Sequence, residues 1–333
     1  MRPFSFESVT TANDAIAAGA SGDGGMEFLA GGTTLIDLMK LDVMRPTRVV
    51  DINALARTEL GRIDVQRQGL RLGALVRMAE AAEHADINTV YPAVAQSLRL
   101  AASQQIRNMA SLAGNVLQRT RCPYFRDVSY EQCNKREPGS GCAALDGINR
   151  SHAVLGTSDQ CIASYPGDFA QALIALGAIV DIAGPRGMRD IPFAALHRKP
   201  GDAPDIETTL QSGEMITAFF IPAALWTRRS VFLKIRDRES YEFALASAVV
   251  ALDLEEDKVR DVRIALGGVA TIPWRATAAE AVLKGKVLSA RSKRAAADAA
   301  FADAHAHEHN AFKIELGKRT LIRALDQAAA MEI

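Results

Sequence analysis

MEFLAGGTTLIDLMK, residues 26–40, is the stretch from which the architecture is read. Its first part, Met26–Ala30, is a short, mostly apolar run of strand length. Gly31-Gly32 follows as a turn, and Thr33-Thr34 is placed to cap a helix with apolar positions Leu35, Ile36, Leu38 and Met39. Strand, glycine turn and helix start together bring backbone N–H groups to a point where they can meet a phosphate. Neither G-x-G-x-x-G nor G-x4-G-K-[ST] occurs in the chain, so this is not a Rossmann or P-loop fingerprint. A lone strand–GG–helix is more often a plain turn, and it needs company to mean more.

Two further segments supply it. QIRNMASLAGNVL, residues 105–117, holds Gly114-Asn115, a pair suited to a turn with positive φ, and Ser111 offers a hydroxyl. SYPGDFAQALIALGA, residues 164–178, places the turn Pro166-Gly167-Asp168 before an apolar helix, with Asp168 as its N-cap.

The cysteines are the other signal. All four, at 122, 133, 142 and 161, fall within 40 of the 333 residues. Their spacing, C-x10-C-x8-C-x18-C, has no C-x2-C pair of the kind one tight turn presents to zinc. The segment around them is rich in Gly, Pro, Asn, Asp and Ser and reads as a loop of about forty residues without helix or strand, which usually has a function or an internal anchor. A four-thiolate 4Fe-4S cluster would be one, with Arg119, Arg121, Lys135 and Arg136 near in sequence to offset its charge. Buried thiols, zinc and disulfides stay open on spacing alone. His152, inside the loop, is placed either to pack or to hydrogen-bond near a cluster.

In order along the chain, FLAGGTTLIDLMK (28–40), QIRNMASLAGN (105–115), PGDFAQALIALGA (166–178) and FLKIRDRESYEFALASAVVAL (232–252) resemble the FAD subunit of the xanthine dehydrogenase and carbon monoxide dehydrogenase flavoprotein family. CPYFRD, CNKREPGSGC and NRSHAVLG look like the flavin subunit of bacterial periplasmic aldehyde oxidoreductase, which carries a 4Fe-4S cluster in this insertion. A similar loop occurs in hydroxybenzoyl-CoA reductase, the nearest alternative.

The resemblance implies an α+β fold: a two-lobed FAD-binding domain of the PCMH (vanillyl-alcohol oxidase-like) type over 1–222, with lobes about 1–55 and 56–222 and the cysteine-rich loop at 119–161. A C-terminal α+β flavoprotein domain over 223–333 would follow, with a three-stranded antiparallel sheet and helices. DVRIALGGVA (261–270) reads as one of its strands, and Ala278–Leu325 is helical by composition. The implied cofactor contacts are Leu29, Ala30, Gly31, Gly32, Thr33, Thr34, Leu35 and Ile36 on the pyrophosphate, and Ala110, Ser111, Leu112, Gly114 and Asn115 in the second turn. Asp168 would accept from the sugar hydroxyls, Ile216 would pack on the cofactor and Lys234 would lie near the flavin ring. Ala101 stands where the family often has an aromatic residue against the flavin. Cys122, Cys133, Cys142 and Cys161 would ligate the cluster. Molybdenum cofactor and 2Fe-2S clusters are expected on partner subunits of a heterotrimer-type complex, with electrons leaving through FAD to an external acceptor, and no substrate-touching catalytic residue in this chain.

Composition agrees with a soluble globular chain: 48% hydrophobic, 23% charged, and 39 basic against 39 acidic residues. That balance argues against a general nucleic-acid binder. MRPFSFESVTTAND, broken by Glu7 and Asp14, does not read as a secretory signal, and FALASAVVAL (243–252) is too short to span a bilayer. The resemblance therefore implies a periplasmic complex exported on a partner's signal, with a cytoplasmic one as the alternative. The HAHEH run (305–309) is not H-E-x-x-H, and alternate residues do not share a helix face, so it is expected to be solvated. Arg236-Asp237-Arg238-Glu239 reads as a charged surface stretch. Two other function classes compete: an iron–sulfur or zinc module acting as sensor or scaffold, which needs no flavin, and a free-standing flavin oxidase, which needs its own substrate pocket.

Overall fold

The computed structural model describes residues 1–20 and 25–333. The run that opened the sequence analysis is a strand one residue shorter than expected, and it belongs to a parallel sheet of β1 (Ser5–Ser8), β2 (Met26–Leu29) and β3 (Arg48–Asp51), in the order β1-β3-β2. Parallel neighbours need crossovers, and the helix Leu35–Lys40 lies on the one between β2 and β3. This lobe closes over a small core around Ala15, Val50, Ile52 and Leu55, joined by Leu75 and Met215 from the next lobe.

The second sheet is antiparallel: β4 (Ile63–Gln66), β5 (Gly69–Gly73), β6 (Ile179–Gly184), β7 (Gly187–Pro192) and β8 (Met215–Pro222), in the order β4-β5-β8-β6-β7. The long excursion between β5 and β6 carries the helices that wall the site and the whole cysteine segment. That segment is not bare loop. Single helical turns form at Pro123–Arg126 and Ala143–Asp146, and an antiparallel bridge joins Cys133 to Cys142. Pro123 explains the first of them, because its fixed φ suits the first helical position and its missing N–H is not needed there.

The C-terminal sheet is antiparallel and has four strands, not the three expected: β9 (Ser230–Ile235), β10 (Ala246–Glu255), β11 (Lys258–Gly267) and the two-residue β12 (Trp274–Arg275). Helices Thr277–Leu283, Ala290–Ala300 and Phe312–Ala329 follow. The apolar run in β10 does not alternate with polar residues because both its faces are covered. Val249 and Ala251 join the core of the second lobe, while Ala248, Val250 and Leu252 join the core under the C-terminal helices. Each fully buried Val or Leu in this seam contributes roughly 1.5–3 kcal/mol, so the two cores are held as one body.

Candidate functional site

The glycine turn is fixed by close approach. A Cβ on Gly31 would stand 2.1 Å from the Met109 carbonyl oxygen, and Gly32 has φ +71°, a conformation that favours glycine. Gly31 therefore lies against the second turn at 109–111. A hydrogen-bond relay locks the pair: Asn53 Nδ2 donates to Ala30 O (2.9 Å), Arg77 donates to Asn53 Oδ1 (2.8 Å) and also to Met109 O (2.6 Å). Neither Asn53 nor Arg77 was singled out from sequence, since nothing in their local pattern marks them.

Two sequence expectations are corrected here. Thr34 stands at the helix N-cap, but its side chain makes no capping bond, and both Thr33 and Thr34 face open space. Gly114 and Asn115 are not a positive-φ turn. They lie in the helix Leu112–Val116, because the Ser111 hydroxyl accepts from Gly114 N (3.2 Å) and starts a helix instead.

Two clefts meet at Thr33–Thr34. The first, about 450 Å³, is lined by Ala30, Gly31, Gly32, Leu35, Ser111, Gly114 and Ile216. The second, about 560 Å³, is lined by Ala101, Ala110, Asn115 and Asp168. Both volumes fall in the range of small-molecule sites, and their junction suits an elongated, two-part ligand. Among the described residues Asn115 Oδ1 is buried with no hydrogen-bond partner, so a ligand donor fits there. Leu29, Ile36 and Leu112 back the walls without lining either cleft, and Leu112 is fully buried. Lys234 is also behind the wall: its ammonium donates to Asp168 Oδ2 (2.6 Å) and Leu100 O (3.1 Å). Asp168 occupies its expected N-cap position, but its side chain caps nothing and takes Lys234 instead. Burial pushes the Asp168 carboxyl up, and Lys234 offsets part of that.

The four cysteines converge. Cys122, Cys133, Cys142 and Cys161 line one narrow cavity as free thiols. Among the described residues no three of His, Cys, Asp and Glu are arranged to hold a single metal ion. A single ion needs every sulfur within about 2.3 Å of one point, whereas a four-iron cluster is held at its corners and keeps its thiolates further apart. The surroundings suit thiolates. The backbone N–H of Ala163 donates to Cys161 Sγ (3.5 Å). Burial pushes Cys122 up to about 12 and Cys161 up to about 11, with Lys135 partly offsetting the latter. The donor set fits a four-thiolate cluster. Burial and the Lys313 ammonium hold His152, whose Nε2 is 3.2 Å from Cys122 Sγ, down at about 4.

Residues 2–224 match the family described as the FAD binding domain in molybdopterin dehydrogenase, and residues 231–328 match the CO dehydrogenase flavoprotein C-terminal domain. The chain belongs to this flavoprotein family. It is a subunit of the oxidoreductase kind. It is 45% identical to the aldehyde oxidoreductase FAD-binding subunit PaoB of Escherichia coli (strain K12) over 99% of both chains. It is 23% identical to the carbon monoxide dehydrogenase medium chain of Hydrogenophaga pseudoflava, over 90% of this chain and 86% of that one. Its fold matches the reconstituted CO dehydrogenase from Oligotropha carboxidovorans with a TM-score of 0.78 at 21% identity, covering 100% of both chains.

In this flavoprotein an ionic bridge joins the first cleft to the cysteine pocket. Glu207 accepts from Arg119 (2.8 Å) and from Lys135 (2.7 Å). Arg119 and Glu207 line the cleft, while Lys135 lines the cysteine cavity. Burial raises the Glu207 carboxyl, but the two cations overcome it and hold the group below its usual range. Of the cations expected near the cysteines, Arg121 instead pairs with Asp37 (3.2 Å), and Arg136 is taken up by backbone carbonyls such as Tyr124 O (2.8 Å) and Phe125 O (2.9 Å). The Arg236–Glu239 stretch is partly a cleft rim: Arg238, with Tyr241 and Phe243 after it, lines the second cleft. His305–His309 follows expectation in part only, since His309 N donates to Asn149 Oδ1 (3.0 Å) and His305 N to Val154 O (2.7 Å).

Proposed function

We propose that this chain is the FAD and 4Fe-4S electron-transfer subunit of a molybdenum-dependent aldehyde oxidoreductase, passing electrons between partner subunits that carry molybdenum cofactor and 2Fe-2S clusters and an external acceptor. The observation that carries it is the pairing of two sites in one body: a glycine-lined double cleft and a pocket of four thiols, connected through Arg119, Glu207 and Lys135. FAD, when bound, takes electrons singly and delivers them in pairs, and an iron–sulfur cluster supplies single-electron steps. The chain's own residues bind and orient. Backbone around Gly31-Gly32 and Thr33-Thr34 meets the pyrophosphate. Asn115 Oδ1 and Asp168 accept from the cofactor in the second cleft, and Ile216 packs on it. Lys234 acts through Asp168, fixing its carboxylate. Cys122, Cys133, Cys142 and Cys161 hold the cluster. Residues 1–222 form the flavin-binding part and 223–333 the C-terminal part; the boundaries of the two family matches, at 224 and 231, support that division. The similarity to PaoB supports aldehyde as the substrate class of the assembled enzyme.

The test is FAD and iron content per chain on protein purified without air. About one FAD and about four irons are expected, with visible absorption from both. Iron without flavin overturns the electron-transfer reading in favour of a sensor or scaffold. Flavin without iron keeps the family and removes the cluster. Residence in the periplasm by co-export is proposed with the same complex and is checked by cell fractionation. Among the described residues no helix is long and apolar enough to cross a membrane.

A further inference from the structure

His152 is 2% exposed, and its Nε2 stands 3.2 Å from Cys122 Sγ. Among the described residues its Nδ1 is buried without a partner, and the contact to sulfur is the only hydrogen bond its ring makes. A cluster-bound Cys122 sulfur is a thiolate and can only accept. The imidazole must then carry its proton on Nε2 and donate it.

The ring is held there by the C-terminal domain. Lys313, with no exposed surface, donates to Ser151 O (3.0 Å), His152 O (3.0 Å) and Gly268 O (2.6 Å). Asn310, equally buried, donates to Ala153 O (3.1 Å), and His152 N donates to Asn149 O (3.0 Å). Burial pushes the Lys313 ammonium down to about 7, which is the cost of placing it among three backbone carbonyls. Its effect is to fix the backbone on both sides of one imidazole.

We propose that His152 is a positioning residue for the cluster: it donates Nε2–H to Cys122 Sγ and raises the cluster's reduction potential, and Lys313 with Asn310 fixes the geometry of that bond. The inference rests on the cluster reading given above. A hydrogen bond to a ligand sulfur stabilises the more negative, reduced state more than the oxidised one, which sets the sign. A charge-assisted bond of this kind corresponds to about tenfold in the reduction equilibrium, or about 59 mV for one electron.

The experiment is an anaerobic redox titration of the holoprotein, followed by electron paramagnetic resonance of the reduced cluster, with iron counted in each sample. His152→Leu keeps its iron and its cluster becomes harder to reduce by about tenfold. His152→Gln, which retains an N–H donor, returns toward wild type, and Lys313→Met shifts in the direction of His152→Leu by less. An unchanged potential in an iron-replete His152→Leu protein overturns the proposal. If His152→Leu fails to load iron, the other two variants decide: an unshifted Lys313→Met, or a His152→Gln shifted as far as loss of the donor requires, overturns it. Wild-type protein without iron would instead sink the cluster reading itself, a separate result.

Discussion

Replacing Gly31 by alanine strikes the clasp between the two turns that wall the first cleft. The new methyl would drive into one peptide unit: the Met109 carbonyl oxygen at 2.1 Å, its carbon at 2.7 Å and Ala110 Cα at 2.9 Å. No rotamer change relieves such a clash. With ordinary contact at about 3.5 Å, the two turns must part by about 1.4 Å. Overpacking of this sort costs about 1–3 kcal/mol. Met109 O also accepts from Arg77, so separation strains the relay through Asn53 to Ala30 as well. If the cost falls on the ligand-bound state, FAD affinity drops by about 5- to 150-fold. The assay is flavin fluorescence titration of apoprotein, with urea unfolding in parallel to separate binding from stability. A Gly31→Ala protein that binds FAD with wild-type affinity and unfolds at the wild-type midpoint would show that the turns do not clasp as described.

Two other perturbations follow from buried charge. Lys234→Met leaves the Asp168 carboxylate, at 4% exposure, without its ammonium, and should cost about 3–5 kcal/mol in urea unfolding. Adding Asp168→Asn should recover much of that loss, and a double variant no more stable than the single one would refute the pairing. Burial holds His197 down at about 4 while its ring bonds Val116 O (3.2 Å). Unfolded histidine titrates near 6.5, so between about 6.5 and about 4 the unfolded chain binds the extra proton. The stabilisation is complete above pH about 6.5 and is lost as pH falls toward about 4, by up to about 3 kcal/mol. Urea midpoints measured against pH should fall more steeply for wild type than for His197→Gln; parallel curves would remove His197 as the cause.

The features legible in sequence were those written in contiguous residues. Gly31-Gly32 announces a turn wherever it sits, and four thiols in one window draw the eye to a segment whose cysteines line one cavity. Features made by distant pairs were not legible. Asn53 and Arg77 act only because folding brings them to residues 30 and 109, and Tyr241 lines a cleft that Thr33 and Thr34 line as well. Local signals also misled where a neighbour competed. Gly114-Asn115 is good turn material, but Ser111 three residues earlier started a helix through both. Asp168 is good cap material, but a buried ammonium claimed its oxygen. The fourth C-terminal strand, two residues long, exists only because β11 offers it an edge.

The middle strand of the second sheet arrives late. Leu72 in β5 waits for Phe219 in β8, a partner 147 residues further along the chain. At translation speeds of about 5–20 residues per second, the β4–β5 hairpin stands with an open edge for roughly 7–30 s before its neighbour exists. A two-stranded hairpin is marginal in water, and an unpaired edge recruits other chains. Closing so long a loop also slows folding in its own right. A holdase that covers β5 would therefore act on that interval without touching the finished molecule.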